Sequence, residues 1–246
     1  GGFNIGDEYR GLSRRFGFWR DTHVKIRGSA IDTLQLRFLL DWRFATQASL
    51  PEKDKYFPMR REEGSTAVQI VFSGPDFKYA AIKYGYLKLI DKARHNIYIQ
   101  TPYFIPDSSL LDALKIAALS GVDVRIVIPY KPDHFYVYWA SLSYLGELLE
   151  AGVRCYMYKR GFLHSKFILT DGFASSVGTA NFDIRSFNLN FEINAFIYDQ
   201  KVSGQLEEQF LRDLDYCVEI TGETYAYRPL SNRIKEGFFR LLSPIL

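Results

Sequence analysis

The sequence predicts an α/β fold in which helices cover a mixed, mainly parallel sheet. The first observation is that four strand-like apolar runs alternate with three helix-like segments between residues 68 and 158. Strands separated by helices of this length need crossover connections, which place the strands parallel. The second observation is that the strand-like segments after residue 161 follow one another through turns. That later part makes the predicted sheet mixed.

The first 67 residues contain a predicted strand, a helix and a linker. Apolar alternation predicts a strand over residues 22–28, and the spacing of apolar residues predicts a helix over 29–46. Residues 49–67 combine two prolines, a glycine and mixed charge, which is typical of a linker. We therefore predict three parts: a segment of residues 1–48, the linker 49–67 and a larger unit of residues 68–246.

The larger unit begins with the regular part of the pattern. Strands are predicted in VQIVFSGP, NIYIQTPYF, VDVRIVIP and VRCYMY, and helices in FKYAAIKYGYLKLIDKAR, DSSLLDALKIAALSG and YWASLSYLGELLEAG. Asp107 or Ser108 suits the N-cap of the second helix, and Gly121 ends it. Because ligands bind at strand ends in such sheets, we expect a functional site there.

The remainder of the unit reads as three strands followed by two helices. The strands are predicted in FLHSKFILT, SSVGTA and NFEINAFIYD, and the helices in SGQLEEQFLRDLDYCVEIT and SNRIKEGFFRLLSPIL. Helical spacing in the last segment places Ile234, Phe238, Leu241 and Leu242 on one side, opposite Arg233 and Lys235. That side is expected either to dock on the protein or to contact a membrane.

The composition is that of a globular protein with a surplus of aromatic residues. Apolar residues make up 47%, charged residues 24% and aromatic residues 16%. A net charge of +3 is too small to predict nucleic-acid binding. Cys155 and Cys217 are far apart and lack metal-ligand spacing. No apolar run approaches the roughly 18–20 residues that a membrane span needs.

One group of polar residues lies in otherwise strand-like sequence. His164 and Lys166 are two residues apart, and side chains alternate along a strand, so both are expected on one face. An unpaired lysine is costly to bury, so the pair is expected to reach a cleft at the edge of the sheet. Each residue taken singly is more often an ordinary surface or edge group. The combination at these spacings carries the prediction.

The turn GTAN supplies groups that bind an anion. Gly178 permits close approach of the backbone, and the Thr179 hydroxyl and the Asn181 amide can donate hydrogen bonds. Together with the lysine they predict a phosphate pocket that needs no metal and no other cofactor. The imidazole of His164 is a competent nucleophile or acid near neutral pH, and Glu192 is expected to hold its other ring nitrogen.

These residues resemble the signature of the phospholipase D superfamily, which is H-x-K, four residues, D, and then six residues to a G-[S/T]-x-N turn. This chain reads His164-Ser165-Lys166, then Asp171, then Gly178-Thr179-Ala180-Asn181. The segments IQTPYFIPD, GVDVRIVIPYKPDH, NFDIRSFNLNFE and RLLSPIL resemble the bacterial cardiolipin synthase branch. The resemblance covers essentially the whole chain.

The superfamily carries two such motifs, one in each half, at a single active site. GGFN at residues 1–4 resembles the closing turn of a first motif, which makes Asn4 the counterpart of Asn181. RDTHVKI resembles FEINAFI, so Asp21 stands where Glu192 stands. The resemblance implies an α-β-α sandwich of two pseudo-repeated halves, of which the first is incomplete here. An N-terminal membrane segment and most of the first motif are expected to be missing.

The resemblance also implies an activity and a location. The enzyme would make cardiolipin from two phosphatidylglycerol molecules, with release of glycerol, through a covalent phosphohistidine. His164 would act as general acid and base, Lys166, Asn181 and Asn4 would bind phosphate, and Asp171 would hold a local turn. Its partners would be anionic phospholipids at the cytoplasmic side of a bacterial cell membrane.

Two other functions stay open at this point. The same pocket chemistry serves a phospholipase D-type phosphodiesterase that uses water, acting on lipid or on nucleic acid. A non-catalytic half that binds lipid or phosphate is the other alternative. The segment LSRRFGFWRD, with aromatic residues among three arginines, is expected either at an anionic membrane surface or packed on the protein.

Overall fold

The computed structural model describes residues 1–48, 53–58 and 64–245. The strands are β1 (Phe18–Arg20), β2 (Ala67–Ser73), β3 (Asn96–Gln100), β4 (Phe104–Ile105), β5 (Asp123–Pro129), β6 (Arg154–Tyr158), β7 (Gly161–Leu163), β8 (Phe167–Thr170), β9 (Ala174–Gly178), β10 (Phe182–Asp183), β11 (Glu192–Tyr198) and β12 (Cys217–Ile220). The helices are α1 (Ala30–Thr46), α2 (Lys53–Tyr56), α3 (Ala81–Lys92), α4 (Ser108–Leu119), α5 (Phe135–Ser143), α6 (Leu145–Glu150), α7 (Ile184–Asn188), α8 (Gln200–Leu214), α9 (Gly222–Ala226) and α10 (Leu230–Leu241), followed by a 3-10 turn at Ser243–Ile245.

The main sheet has eight strands in the order β12-β6-β5-β3-β8-β9-β11-β2. The prediction of a mixed sheet is confirmed, because β3, β5 and β6 pair in parallel and the other neighbours pair antiparallel. The prediction that the sheet is mainly parallel holds in that most of its strands run in one direction. It is wrong for pairing, because most neighbouring strands are antiparallel. The strands β2 and β3 run in the same direction but do not pair, because β8, β9 and β11 lie between them.

Side-chain alternation in the central strands builds a core on each face of the sheet. Ile97 and Ile99 of β3 are buried against the layer formed by α3, α4, α5 and α6. Tyr98 points to the opposite face, where its ring stacks on Phe210 of α8 at a centroid distance of 4.6 Å. Helices therefore cover both faces, as expected for an α-β-α sandwich.

Three predicted strands differ in the structure. The one predicted in NIYIQTPYF is split into β3 of the main sheet and β4, which pairs with β10. Residues 22–28 form no strand, because a strand needs a neighbour for its N–H and C=O groups and none of the described segments pairs with them. The predicted strand over 162–170 is split into β7, which pairs with β1, and β8, which pairs with β3 and β9. The break between them contains the histidine and the lysine of the motif.

The predicted linker and the two units that it separates stay a prediction. Of residues 49–67, positions 49–52 and 59–63 lie outside the described residues, and α2 and the first residue of β2 lie within the rest. Across the described part of the chain, every helix is too short or too polar to cross a membrane.

Candidate active site

His164 and Lys166 lie in the three-residue break between β7 and β8. β7 pairs with β1 in a separate two-stranded ribbon, whereas β8 belongs to the main sheet. The backbone N–H of His164 donates to the carbonyl of Arg20 at 2.7 Å, which continues the β1–β7 pairing as far as the histidine. The break therefore lies where the N-terminal segment meets the main sheet.

A carboxylate and two aromatic rings hold the imidazole of His164. Its Nδ1 lies 2.9 Å from Oδ2 of Asp21, and Oδ1 of Asp21 accepts from the N–H of Thr22 at 2.8 Å. The rings of Trp19 and Tyr9 pack at centroid distances of 5.0 and 5.6 Å. Because the carboxylate holds the proton on Nδ1, Nε2 is the nitrogen that can exchange a proton with a ligand.

Burial and charge act in opposite directions on this pair. Burial lowers the pKa of His164 below its ordinary value, and the hydrogen bond to Asp21 offsets only part of that effect. Burial raises the pKa of the Asp21 carboxyl, but the hydrogen bond with His164 and the charges of His164 and Lys166 outweigh it, so this pKa is lower than usual. Near neutral pH the acid is ionised and the ring is neutral.

The ammonium group of Lys166 is buried beside the same ring. The residue is 5% exposed, and its Nζ donates to the carbonyl of His164 at 2.8 Å. A Cβ added to Gly2 would lie 3.1 Å from Cε1 of His164 and 3.2 Å from Nζ of Lys166, so both tips border one space. Burial lowers the pKa of Lys166 to about 8, and the charges of Asp21 and Glu192 oppose that effect.

A buried ion pair ties the segment that carries Asp21 to the main sheet. The Nε and Nη2 atoms of Arg20 lie 2.9 and 2.8 Å from Oδ2 of Asp213 in α8. Gln100 of β3 donates to the same oxygen at 2.8 Å. The third nitrogen of Arg20, Nη1, donates to the carbonyl of Asp21. Arg20 therefore links the position of this acid to two elements of the larger unit.

The GTAN turn begins beside the lysine. The N–H of Gly178 donates to the carbonyl of Lys166 at 3.3 Å. The backbone N–H of Asn181 donates to Ser186 Oγ at 3.2 Å. The side-chain oxygen of Asn181 is buried and accepts no hydrogen bond from the residues that the structure describes, 1–48, 53–58 and 64–245. Nearby, burial raises the pKa of Asp183 to about 6. The side chain of Asn181 also forms a hydrogen bond with Asp183, so its oxygen is the atom that is open to a ligand.

The structure corrects three expectations about this turn. Asp21, and not Glu192, holds the ring of His164, because β1 pairs in parallel with β7 and so places Asp21 beside His164. The Thr179 hydroxyl donates to Glu192 and accepts from the N–H of Ile193 at 2.9 Å, so it is already occupied. A side chain at Gly178 would overlap β11, so this glycine is required for strand packing rather than for approach to phosphate.

Two further predicted residues lie outside the cluster around His164. Asp171 follows β8, whereas Lys166 precedes it, roughly 15 Å away along an extended strand. Its carboxylate accepts from the backbone N–H groups of residues 94, 95 and 96 at 2.8, 2.7 and 2.9 Å, which holds the local turn. Asn4 is exposed, and its amide donates to the Tyr9 hydroxyl at 2.8 Å.

Several residues of the site have no signal in the sequence. Arg20 and Asp213 are 193 positions apart, and no periodicity or motif links them. Asp133 precedes α5, and its charge raises the pKa of both His164 and Lys166. The aromatic segment LSRRFGFWRD packs on the protein through Phe16 and Trp19, whose rings contact Phe162 at 5.1 and 4.8 Å. In the stretches that the structure describes, no group of three or more His, Cys, Asp or Glu is placed to hold a metal ion.

Comparison with known proteins gives a family and two kinds of relatives. Residues 86–214 match the family model "Cardiolipin synthase, PLD-like domain". Proteins named cardiolipin synthase from Listeria welshimeri and Staphylococcus aureus are 54% and 55% identical over 247 aligned residues, which is 100% of this chain. Those alignments cover 51% and 50% of the relatives, so the chain spans about half their length.

Two solved structures share the fold. One is a phospholipase D family member, Nuc from Salmonella typhimurium, with a TM-score of 0.54 and 22% identity over 64% of this chain and 99% of the other. The second is phosphatidylserine synthase from Haemophilus influenzae, with a TM-score of 0.58 and 18% identity over 74% of this chain and 48% of the other. At these identities the likeness is one of fold.

Proposed function

This chain belongs to the family described as "Cardiolipin synthase, PLD-like domain". We propose that it carries one half of the catalytic centre of a phosphatidyl transferase. The reaction joins two phosphatidylglycerol molecules into cardiolipin and releases glycerol. The observation that carries the proposal is that the His164 ring, held by Asp21, borders the same space as the Lys166 ammonium. An oriented imidazole beside a cation suits proton transfer at a phosphodiester.

In the first step a second histidine, from a motif that these 246 residues do not contain, attacks phosphorus. A P–N bond forms and the P–O bond to glycerol breaks. The bound anionic phosphodiester raises the pKa of His164, so Nε2 takes up a proton from solvent in the complex and gives it to the departing alkoxide. In the second step neutral His164 takes the proton from a hydroxyl of the second phosphatidylglycerol. That oxygen bonds to phosphorus, and the P–N bond breaks. Two steps of this kind replace one harder displacement.

Charge on the phosphate oxygens is balanced by side chains in this proposal. A bound phosphodiester adds negative charge next to Lys166 and raises its pKa from about 8, so the ammonium stays charged in the complex. The Asn181 amide can turn by half a rotation, so it can donate to a phosphate oxygen or accept from a substrate hydroxyl. Asn4 would reach the same phosphate only if its amide left the Tyr9 hydroxyl, whose ring packs on His164.

We also propose a location and partners in line with this chemistry. The substrate and product are anionic phospholipids, so the enzyme works at a membrane surface, on the cytoplasmic side of a bacterial cell membrane. The bacterial sources of the similar proteins support a bacterial membrane, and the cytoplasmic side is part of the proposal alone. A phospholipase D-type reaction with water is the nearest alternative, since water can replace the second alcohol at the same imidazole.

The test is to identify lipid products by mass spectrometry after phosphatidylglycerol vesicles are incubated with the complete protein that contains this chain. Cardiolipin and glycerol are expected, whereas phosphatidic acid would indicate hydrolysis instead. His164→Ala should abolish product formation, and retained turnover would exclude the proposed role of this residue. Residues 1–246 alone should be inactive, because the attacking histidine is absent, and turnover by this fragment would contradict the two-motif mechanism.

A further inference from the structure

The apolar side of α10 faces away from the protein. Leu230, Ile234, Phe238 and Leu241 recur at helical spacing, and between 59% and 79% of their surface is exposed. A helix of a globular protein normally turns such a face toward the core. We call these four residues the outer face of α10. Contiguous exposed apolar surface of this kind usually marks a place of interaction.

Polar contacts determine which side of α10 packs on the protein. Glu236 is buried and accepts from Nε of Arg228 at 2.8 Å. Arg240 donates to the carbonyl of Ser143 at 2.9 Å and forms an ion pair with Glu147 of α6. A helix rotated to bury the outer face would lose these pairs and leave charges without partners, which is costly. The exposure of the outer face is therefore built into the packing.

Aromatic contacts connect the outer face to the candidate active site. Phe238 packs on Phe239 at a centroid distance of 5.2 Å, and Phe239 packs on Phe135 at 5.6 Å. Phe135 is the first residue of α5, is 52% exposed, and lies two residues after Asp133. The charge of Asp133 acts on His164. A surface that covers the outer face would therefore also lie near Phe135 and the segment that carries Asp133.

Charge around the outer face favours an anionic occupant. Of the four basic side chains in residues 228–246, Arg228 and Arg240 pair with Glu236 and Glu147, so Arg233 and Lys235 are the two that can face an anionic surface. Arg233 is exposed on the outer side of the helix, and Lys235 extends over the ring of Trp139 at 4.8 Å. Apolar side chains flanked by arginine and lysine match a layer of anionic headgroups above acyl chains.

We propose that α10 docks on an anionic phospholipid bilayer through its outer face, with Ile234, Phe238 and Leu241 among the acyl chains and Arg233 at the headgroups. Docking in this way turns Phe135 and the neighbouring segment of Asp133 toward the lipid that supplies the substrate. The inference deepens the proposed function and rests on it, since a phosphatidyl transferase must take its substrate from a membrane.

Depth of insertion gives the direct test. Phe238→Trp is introduced into the complete protein, and tryptophan fluorescence is followed as vesicles of acyl-brominated phosphatidylglycerol are added. We expect bromine to quench this variant more strongly than the unmodified protein. Ile116→Trp is the matched control, because Ile116 is 63% exposed on α4. Equal quenching of both variants would overturn the proposal. Protection of F238W from aqueous iodide without quenching by the brominated lipid would also overturn it, because it would mean that protein covers the outer face.

Kinetics separate this inference from the proposed function. Ile234→Gln with Phe238→Gln should lower turnover of phosphatidylglycerol vesicles by about tenfold or more, because two apolar side chains no longer insert. Turnover of short-chain phosphatidylglycerol dissolved as monomers should not change. The control pair, Ile116→Gln with Leu119→Gln, removes equally exposed apolar residues from α4 and should affect neither substrate.

The outcomes can be told apart. Equal losses on vesicles and on dissolved lipid would overturn docking while leaving the transferase proposal intact. If the unmodified protein turns over neither form of lipid, the proposed function fails, and the quenching experiment alone decides whether α10 docks.

Discussion

Asp21 and Glu192 occupy matching positions in the repeated sequence but have different partners in the fold. Asp21 lies 2.9 Å from the ring of His164, and its side chain is 7% exposed. Glu192 accepts from the Thr179 hydroxyl and lies 3.3 Å from the amide nitrogen of Asn190. The acid of the N-terminal segment thus serves the histidine of the larger unit, 143 residues away.

The difference indicates how two repeats share one site. If each acid holds the histidine of the other repeat, Glu192 is the partner of a histidine in the first motif, which this chain does not contain. Lys166 lies close enough to both acids for each charge to raise its pKa. Lys166 therefore interacts electrostatically with both matching acids. Substitutions of Asp21, Glu192 and Lys166 test whether the two acids have different roles.

Asp21→Asn is expected to have the largest effect. The substitution keeps the shape of the side chain but removes the charge that holds and stabilises the imidazolium, so kcat should fall by roughly 10³–10⁴-fold. The measurement is the rate of cardiolipin formation by the complete protein. A loss of less than about tenfold would mean that another group orients His164.

Asp213→Ala tests how much the buried ion pair between Arg20 and Asp213, which anchors the segment of Asp21, stabilises the fold. Removing the carboxylate leaves the Arg20 guanidinium buried without a partner, so the free energy of unfolding should fall by about 3–5 kcal/mol. Glu219→Ala is the control, because it breaks the exposed pair with Arg154 and should cost about 1 kcal/mol or less. Urea denaturation measures both, and equal losses would show that the Arg20 pair has no special role.

The charge of Lys166 should make anion binding depend on pH. Because its pKa is about 8 in the folded protein, the ammonium is present below that pH and is lost as pH rises through it. Sulfate, whose own charge is constant in this range, should bind with an affinity that falls by up to about tenfold per pH unit above 8. Calorimetry measures the affinity. Lys166→Arg should keep binding unchanged to higher pH, and an identical decline in this variant would assign the effect to another group.

Glu192→Gln should have the smallest effect on the ring of His164. Glu192 bonds to Thr179 and Asn190. The hydrogen bond that the His164 ring donates to Asp21, by contrast, raises the pKa of the ring. In Asp21→Asn the pKa of His164 should therefore fall further, and in Glu192→Gln it should stay unchanged. Nuclear magnetic resonance titration of the histidine ring distinguishes the two. A fall in the second variant would show that both acids act on one ring.

Local periodicity predicted the helices and strands of residues 68–158 well. α4 begins after Asp107, whose side chain accepts from the N–H of Leu110 as an N-cap does. Such signals are local, because a helix or a strand shows its buried face within a few residues. The predicted helix over 138–152 instead starts at Phe135 and breaks at Tyr144 into α5 and α6.

Pairing between distant segments was predicted less well. The strand expected at 22–28 fails for lack of a neighbour, and the one at 162–170 breaks because β7 and β8 pair in different sheets. Both outcomes depend on which strands lie side by side. Alternation within one segment contains no information about that choice.

The sequence by itself determined the α/β class, the spacing of His164 and Lys166, and the position of the GTAN turn. These depend on contacts between near neighbours or on a motif of fixed length. Only the tertiary structure decided that Asp21 holds the histidine, that Arg20 and Asp213 place it, and that the apolar side of α10 faces outward. Each of these depends on charged groups that are distant in sequence and become partners because burial makes an unpaired charge costly.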